Sequence, residues 1–218
     1  MAPVPVRAVV FDWDGTLMDS KSAIVATYRA VTAELLGRAH PDTPEEIDHV
    51  VQLRAQDAIA ELIPDDAALR DSFAARFHEV HVANQAACEP FQGCLELLAA
   101  LRERGLGIGV ATSKARSRME LDADRTGLGR HVDVAVTGDD VELAKPDPAS
   151  VVAAITALGV APAEALYVGD GPNDVRAGRA AGARTVGVAY GFHPAEMRAA
   201  RPDVVVERPV DVLALLTS

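Results

Sequence analysis

Short apolar runs recur along the chain, and stretches with helical spacing separate most of them. Six runs predict strands: Val6–Phe11, Gly107–Ala111, Val132–Val136, Leu166–Val168, Thr185–Val188 and Val204–Val206. Consecutive rather than alternating apolar residues are typical of strands that are buried on both faces. Strands that alternate with helices predict an α/β fold with a Rossmann-like, doubly wound parallel sheet.

The helical stretches carry start and stop residues of their own. Three helices are predicted between strands: Cys94–Arg104, Pro148–Leu158 and Pro172–Ala181. A glycine follows each of them, as is common after the last turn of a helix. Asp147 is the expected N-cap of the second helix, with Pro148 at its first position.

One long segment interrupts the alternation of strands and helices. Ser20–Ala87 shows helical patterns without a strand and is too long for an ordinary loop. Turn residues at 89–93 mark its end. The sequence therefore predicts an α/β core domain of residues 1–17 and 90–218, with a helical cap domain of residues 18–89 inserted after the first strand. A cap hinged at that point is expected to open and close, and a rigidly packed helical bundle is the alternative.

Composition limits the kinds of partner. With 218 residues, 49% of them hydrophobic, the chain is large enough for a real core, and a net charge of -11 disfavours nucleic acid or an anionic membrane as partner. No stretch reaches the ~18 apolar residues of a membrane span, and the first residues lack a signal-peptide pattern. We therefore expect a cytoplasmic monomer or homodimer that acts on a small molecule. Cys88 and Cys94 are too few for a disulfide framework.

Carboxylates follow two of the predicted strands. Asp12 and Asp14 come after the first strand, while Asp170 and Asp174 lie in the glycine-rich turn after Leu166–Val168. Ligands bind outside the carboxyl ends of parallel strands, so we expect the four carboxylates to meet at one edge of the sheet. Like charges at close range raise one another's pKa or recruit a cation. Oxygen ligands without histidine or cysteine favour Mg²⁺.

Two other strand ends carry groups that could hold a phosphoryl group. Thr112 and Ser113 follow Gly107–Ala111, although a Ser/Thr pair at this place is also a common helix cap. Lys145 precedes Pro146 in a stiff turn, although a single lysine is also a common surface charge. The residues alone leave both alternatives open.

Four segments of the chain resemble the four motifs of the haloacid dehalogenase superfamily, in order and spacing. They are Asp12-Trp13-Asp14-Gly15-Thr16, Thr112, Lys145 and Gly169–Asp174. The helical insertion resembles the small cap of the branch that contains phosphoglycolate phosphatase-like and phosphomutase-like proteins. The resemblance implies an Mg²⁺-dependent phosphatase that hydrolyses the phosphate monoester of a small metabolite through an aspartyl-phosphate.

The resemblance also implies a role for each motif residue. Asp12 would be the nucleophile, and Asp14 the acid and base for the leaving group and the water. Thr112, Ser113 and Lys145 would bind phosphoryl oxygens, with Gly15 and Thr16 as backbone donors. The set implied for Mg²⁺ is Asp12, the backbone carbonyl of Asp14, Asp170 and, in support or through water, Asp174.

Related chemistries differ from this chain at particular positions. Dehalogenases of the family resemble it but lack an acid at the position of Asp14. Phosphonate-cleaving members share a tryptophan at the position of Trp13, yet they need a Schiff-base lysine in the cap, and Lys21 reads as a surface residue. Sugar phosphomutases retain both aspartates, and Gly15-Thr16 favours hydrolysis over transfer. A catalytically silent regulator that binds a phosphorylated ligand is the non-enzymatic alternative.

The cap is expected to select the substrate. Where phosphoglycolate phosphatase-like proteins carry Gly-Leu-Pro, this chain has the segment 51–57, which lacks the glycine and the proline. Arg54 in this segment could bind a carboxylate or a second phosphate through its guanidinium fork, and a solvated helix arginine is the alternative.

Overall fold

The computed structural model describes residues 5–216 and divides the chain into two compact units. One unit contains the chain up to Asp19 and from Pro90 onward, and the other is Ser20–Glu89. Within the described residues, no helix has both the length and the apolar composition needed to cross a membrane.

A six-stranded parallel sheet forms the centre of the first unit. The strands of the chain are β1 Ala8–Phe11, β2 Met18–Asp19, β3 Glu89–Pro90, β4 Gly107–Ala111, β5 Val134–Val136, β6 Ala165–Gly169, β7 Arg184–Val188 and β8 Val204–Val206. The large sheet has the order β5-β4-β1-β6-β7-β8, and β2 pairs with β3 in a second, two-stranded sheet. This arrangement confirms the predicted α/β fold class.

The strand order reverses at β1, which lies between β4 and β6. Phe11, the last residue of β1, is level with Val110 on one side and Val168 on the other. The chain segments that follow these residues therefore leave the sheet at the same height. A crevice outside the carboxyl ends of the strands at such a reversal is the usual binding site of open α/β sheets.

Nine α-helices lie within the described range. They are α1 Lys21–Leu36, α2 Pro44–Val50, α3 Ala55–Leu62, α4 Ala67–Gln85, α5 Cys94–Glu103, α6 Arg116–Thr126, α7 Ala149–Ala157, α8 Pro172–Ala180 and α9 Pro194–Ala199. Short 3-10 helices cover Leu128–His131, Pro162–Glu164 and Pro209–Leu216.

The sheet is covered by helices because its strands are apolar on both faces. Val10 and Tyr167 pack with buried residues of α7 and α8 in one cluster. Successive residues of a strand point to opposite faces, so Val9 and Phe11 point to the other face, and both are buried. The α5 helix contributes buried leucines against β4.

Several elements begin later than the sequence predicts, for local reasons. The β5 strand starts at Val134 rather than Val132, because the Val132 amide still donates to Gly129 in the preceding turn. The α7 helix starts at Ala149, with Pro148 in the cap position. Asp147 therefore lies one residue before the N-cap rather than at it, and its Oδ1 accepts from the Ala149 amide at 2.9 Å.

The second unit consists of α1 to α4 around an aromatic core of its own. The rings of Tyr28 and Phe77 lie 4.6 Å apart, and Phe73 stacks on Phe77. The α2 helix begins with a capping box, in which Thr43 accepts from the Glu46 amide and the Glu46 side chain accepts from the Thr43 amide.

Candidate active site

Asp12 lies directly after β1, at the edge of the sheet where the strand order reverses. Its amide donates to the Val168 carbonyl at 2.9 Å, which extends the pairing with β6 by one step. Its Oδ1 lies 2.9 Å from Lys145 Nζ. The Lys145 ammonium therefore places a positive charge beside this carboxylate.

Asp12, Asp170 and Asp174 form a compact group of carboxylates. One oxygen from each residue lies within 4.8 Å of the other two. The Phe192 amide donates to Asp170 Oδ2 at 2.6 Å, and the Gly171 amide donates to Asp174 Oδ2 at 3.0 Å. The backbone therefore orients two of the three carboxylates towards the same small volume.

Lys145 reaches this group from the turn that precedes α7. Its side chain is only 6% exposed, and Nζ lies 2.7 Å from Asp174 Oδ1. Nζ also lies 3.3 Å from the Tyr167 hydroxyl and 3.5 Å from the Ala111 carbonyl oxygen. The surface-charge alternative for Lys145 does not describe this buried position.

The charges in this group conflict. Burial raises the pKa of Asp12 to about 7, against the opposing effect of Lys145 and with a further increase from Asp174. Burial, followed by Asp174 and Asp12, raises the pKa of Asp170 well above its usual range. Close carboxylates that offer only oxygen atoms fit a hard divalent cation, whose charge would remove the conflict.

Asp14 lies in a separate ion pair rather than with the other three carboxylates. Lys114 Nζ donates to Asp14 Oδ1 at 2.8 Å and lies 3.2 Å from Asp122 Oδ2. The Trp13 indole N–H donates to the same Asp122 oxygen at 3.3 Å. Burial would lower the pKa of Lys114, but Asp14 and Asp122 together raise it. Neither Lys114 nor Asp122 is among the site residues that the sequence predicts.

Gly15 and Thr16 form the tight turn after Asp14. Their amides are predicted to donate to a phosphoryl group, but in the structure both donate within the turn. Gly15 N–H donates to Met18 O at 2.9 Å, and Thr16 N–H to Trp13 O at 3.3 Å. Gly15 has φ +80, and a Cβ at this position would lie 2.3 Å from Asp170 Oδ2. In this geometry the turn brings the backbone close to Asp170.

Thr112 and Ser113 follow β4, next to β1. Thr112 is buried, and its Oγ1 accepts from the Lys114 amide at 3.2 Å, so the hydroxyl proton can be directed to another acceptor. Ser113 is half-buried. Helix α6 begins later, after the N-cap residue Ala115, and its first amide, that of Arg116, donates to Asp139 Oδ2 at 2.8 Å. The helix-cap alternative therefore does not apply to α6.

The second unit holds Arg54, directly before α3. Its guanidinium makes a two-point contact with Asp57, with Nε 2.7 Å from Oδ2 and Nη2 3.2 Å from Oδ1. The group is oriented rather than freely solvated. Lys21, in the same unit, lies 2.8 Å from Asp48.

Other residues that shape the site carry weak signals in the sequence. Tyr167, on β6, has its hydroxyl 3.1 Å from the Ala111 carbonyl oxygen and 3.0 Å from Asp174 Oδ1. Gly191 lies so close to the site that a Cβ there would be 2.2 Å from Asp170 Cβ and 2.5 Å from Gly15 O. One feature of the sequence draws attention to Lys114. Lysine is rare in this chain, and only three of the 21 lysine and arginine residues are lysines.

The chain is similar to known proteins over most of its length. The family model described as haloacid dehalogenase-like hydrolase matches residues 9–188. An N-acetylmuramic acid 6-phosphate phosphatase of Pseudomonas aeruginosa is 34% identical, over 99% of this chain and 97% of that protein. A pyrophosphatase of Bacillus pumilus is 32% identical, over 97% of this chain and 96% of that protein.

A solved structure shows the same fold. A candidate phosphoglycolate phosphatase from Lactobacillus plantarum is similar with a TM-score of 0.85 and 27% identity, over 97% of this chain and 99% of that chain. The three similar proteins are named for different phosphate compounds. Similarity therefore supports a shared reaction type more strongly than any one substrate.

Proposed function

This chain belongs to the haloacid dehalogenase-like hydrolases and is a phosphatase of that family, and on this premise we propose that it hydrolyses small-molecule phosphate monoesters through an aspartyl-phosphate on Asp12. The observation that carries the proposal is the position of Asp12. It follows the central strand, 2.9 Å from Lys145, in one group with Asp170 and Asp174.

In the proposed first step, a carboxylate oxygen of Asp12 attacks phosphorus. A bond forms between this oxygen and phosphorus, and the bond from phosphorus to the alcohol oxygen breaks. Asp14 gives its proton to the departing alkoxide. In the second step, water attacks the phosphorus of the aspartyl-phosphate and gives a proton to Asp14. Inorganic phosphate leaves, and the Asp12 carboxylate is restored.

Positioning and charge do most of the remaining work in such a reaction. Lys145 would bind a phosphoryl oxygen, since its ammonium is buried beside Asp12. The hydroxyls of Thr112 and Ser113 would bind other phosphoryl oxygens. We propose that Gly15 and Thr16 act by shaping the turn beside Asp170, because their amides donate within the turn.

Mg²⁺ fits the oxygen donors of this site. Asp12, Asp170 and the backbone carbonyl of Asp14 would hold it, with Asp174 in support or through water. The contacts of Asp174 support this role, since both of its oxygens already accept protein hydrogen bonds. When bound, Mg²⁺ supplies positive charge that keeps the carboxylates ionised and polarises the phosphoryl group.

We propose that the substrate carries a second anionic group. N-acetylmuramic acid 6-phosphate, pyrophosphate and phosphoglycolate all have one in addition to the phosphoryl group that would be transferred. Arg54 would bind this group, because a guanidinium fork matches carboxylates and phosphates, and Asp57 already orients it.

A panel of phosphate compounds tests the function. It would contain these three compounds, several sugar phosphates and a nucleotide, each with and without Mg²⁺. We expect Mg²⁺-dependent release of phosphate, which Asp12→Asn abolishes and the exposed control Asp124→Asn leaves intact. No release from any compound would contradict the proposal, and phosphate moved within a sugar instead of released would indicate a mutase.

Substitution of Arg54 tests the substrate class separately. Arg54→Ala should raise KM for the preferred anionic compound by about 10-fold, because a charged hydrogen bond to the substrate is lost. It should leave kcat nearly unchanged. Arg76→Ala is the matched control, since Arg76 is a half-buried arginine of the same unit that pairs with Glu34 and Glu79. An unchanged order of preference in Arg54→Ala would remove Arg54 from the site.

A further inference from the structure

Lys114 is buried between two aspartates, one of which is Asp14. Its side chain is 3% exposed, and Nζ lies 2.8 Å from Asp14 Oδ1 and 3.2 Å from Asp122 Oδ2. Its backbone is fixed on both sides, since its amide donates to Thr112 Oγ1 and its carbonyl accepts from Gly138. The ammonium is therefore held in place by the chain and by two carboxylates.

Asp122 holds this arrangement from helix α6. Its side chain is fully buried, and Oδ2 accepts from the Trp13 indole N–H at 3.3 Å. Trp13 is also fully buried and directly precedes Asp14 in the chain. Asp122 thus contacts both Trp13, which precedes Asp14 in the chain, and Lys114, which forms the ion pair with Asp14. The two contacts constrain the backbone and the side chain of Asp14 together.

A buried ion pair is weak evidence for a stabilising role, and the composition of the chain does not favour a lysine at this place. A buried ion pair often contributes less to stability than apolar residues of the same volume, because both charges lose their hydration. The chain places arginine at 18 of its 21 basic positions. A lysine ammonium is compact and fits between two carboxylates, whereas a planar guanidinium needs more room. We therefore expect the position of the charge to matter.

We propose that Lys114, supported by Asp122, is a positioning residue that sets the direction of the Asp14 carboxylate for proton transfer. This inference rests on the proposed function, in which Asp14 protonates the leaving alkoxide as the bond to phosphorus breaks. The hydrogen bond to Oδ1 fixes the side-chain torsions of Asp14. Loss of this hydrogen bond would leave the direction of the Asp14 carboxylate less well defined, while Asp12 and Lys145 would keep their geometry.

Leaving groups of different basicity separate this role from a structural one. An alkyl phosphate needs a proton on its leaving oxygen, whereas 2,4-dinitrophenyl phosphate does not. In Lys114→Met, we expect transfer from an alkyl phosphate to slow about 100-fold, the typical contribution of general acid catalysis, and transfer from the dinitrophenyl ester to change less than about threefold. Single-turnover rapid-quench kinetics with enzyme in excess isolate this transfer from the later hydrolysis. Equal losses on both esters would overturn the inference.

A double-mutant cycle tests whether Lys114 acts through Asp14. In an Asp14→Asn background, Lys114→Met should cause little further loss with the alkyl phosphate, because the group that it positions is already absent. If Lys114→Met slows the reaction as much in the Asp14→Asn background as in the wild type, then Lys114 contacts the substrate itself. This result would overturn the positioning role.

Asp122→Asn keeps the test available if Lys114→Met folds poorly. It retains the shape of the side chain and an acceptor for Trp13, and the exposed Asp124→Asn on the same helix is its control. We expect the same dependence on the leaving group, with a smaller loss of about 10-fold on the alkyl phosphate. Circular dichroism checks that each variant is folded. If the wild-type protein were inactive on every ester, the proposed phosphatase function would be wrong. That outcome differs from equal losses on both esters, which would overturn only the positioning role of Lys114.

Discussion

Asp170 is a buried carboxylate that lies beside two others in this fold. Burial and its neighbours raise its pKa well above the usual range, so the ionised site is under electrostatic strain without a cation. Asp170→Asn removes one charge and leaves the side-chain shape. We expect the metal-free variant to be more stable than the wild type by about 1 kcal/mol, as is common when a functional residue is neutralised.

The same substitution should weaken the response to Mg²⁺. We expect the Mg²⁺ concentration for half-maximal phosphatase activity to rise at least about 10-fold, since loss of an oxygen ligand or its orientation typically has this effect on metal affinity. Thermal unfolding with and without Mg²⁺ measures the stability change, and Asp124→Asn is the control. A metal-free variant less stable than the wild type, with an unchanged Mg²⁺ response, would contradict the assignment of Asp170.

Gly191 allows the loop after β7 to pass close to Asp170. A Cβ at this position would meet Gly15 O at 2.5 Å, and a backbone atom cannot move aside as a side chain can. Gly191→Ala should therefore lower the free energy of unfolding by about 2 to 3 kcal/mol, the cost of overpacking, and reduce activity.

Gly105→Ala is the control for Gly191→Ala. Gly105 has φ +72, but nothing lies within 4 Å of a Cβ there. Gly105→Ala should lower the free energy of unfolding by only about 1 kcal/mol, which is the cost of an alanine in the left-handed region, and it should leave activity intact. Urea unfolding measures both variants. A smaller stability loss for Gly191→Ala than for Gly105→Ala would show that the loop adapts to the added methyl group.

The sequence predicts single site residues better than their pairings. Asp12 and Lys145 follow from strand ends and resemblance, and the structure brings them together. The pair of Asp14 and Lys114 spans 100 positions of the chain, and that of Trp13 and Asp122 spans 109. No local pattern encodes such contacts. The acceptors of the Gly15 and Thr16 amides likewise depend on how the turn folds.

At the level of elements, the helical unit has a core of its own, and this core makes a separate prediction. Phe73 is fully buried on α4 and stacks on Phe77. Phe73→Ala should destabilise this unit by about 3 to 5 kcal/mol, since it leaves a cavity in an aromatic core. Native-state hydrogen exchange should show faster exchange in α1 to α4 and little change in β1, β4 and β6.

Arg76→Ala, at a half-buried position on the same helix, is the control for Phe73→Ala. It should leave exchange in all elements close to that of the wild type. Equal acceleration in the helices and in the central strands of Phe73→Ala would show that the two units open as one.

Strands and helices were predicted well where periodicity alone determines them. All six strands of the large sheet fall within or beside the predicted runs, because runs apolar at every position suit only burial on both faces. Element ends were predicted less well. Val132 lies in a turn, where its amide donates to the Gly129 carbonyl, and Pro148 lies in the cap position of α7 rather than within the helix.

Across the whole molecule, the predicted chemistry and the predicted selection of substrate lie in different units. Asp12, Asp14, Lys145 and Asp170 belong to the α/β unit, whereas Arg54 belongs to the helical unit. The sequence predicts the reaction type through the first group. It does not predict the leaving group, because the segment around Arg54 departs from the turn that the resemblance leads one to expect. Substitution of the catalytic residues in the α/β unit should therefore lower kcat, whereas substitution of Arg54 in the helical unit should raise KM.

Detection of the covalent intermediate tests the central claim most directly. Enzyme mixed with Mg²⁺ and an active phosphate ester would be quenched in acid within a turnover and mapped by peptide mass spectrometry. We predict one phosphoryl group on the peptide that contains Asp12, and none in Asp12→Asn. With 2,4-dinitrophenyl phosphate, whose leaving group needs no proton, the adduct should be enriched in Asp14→Asn, where hydrolysis is slow. Phosphate release at the normal rate with no adduct on Asp12, or from the Asp12→Asn protein, would contradict the account.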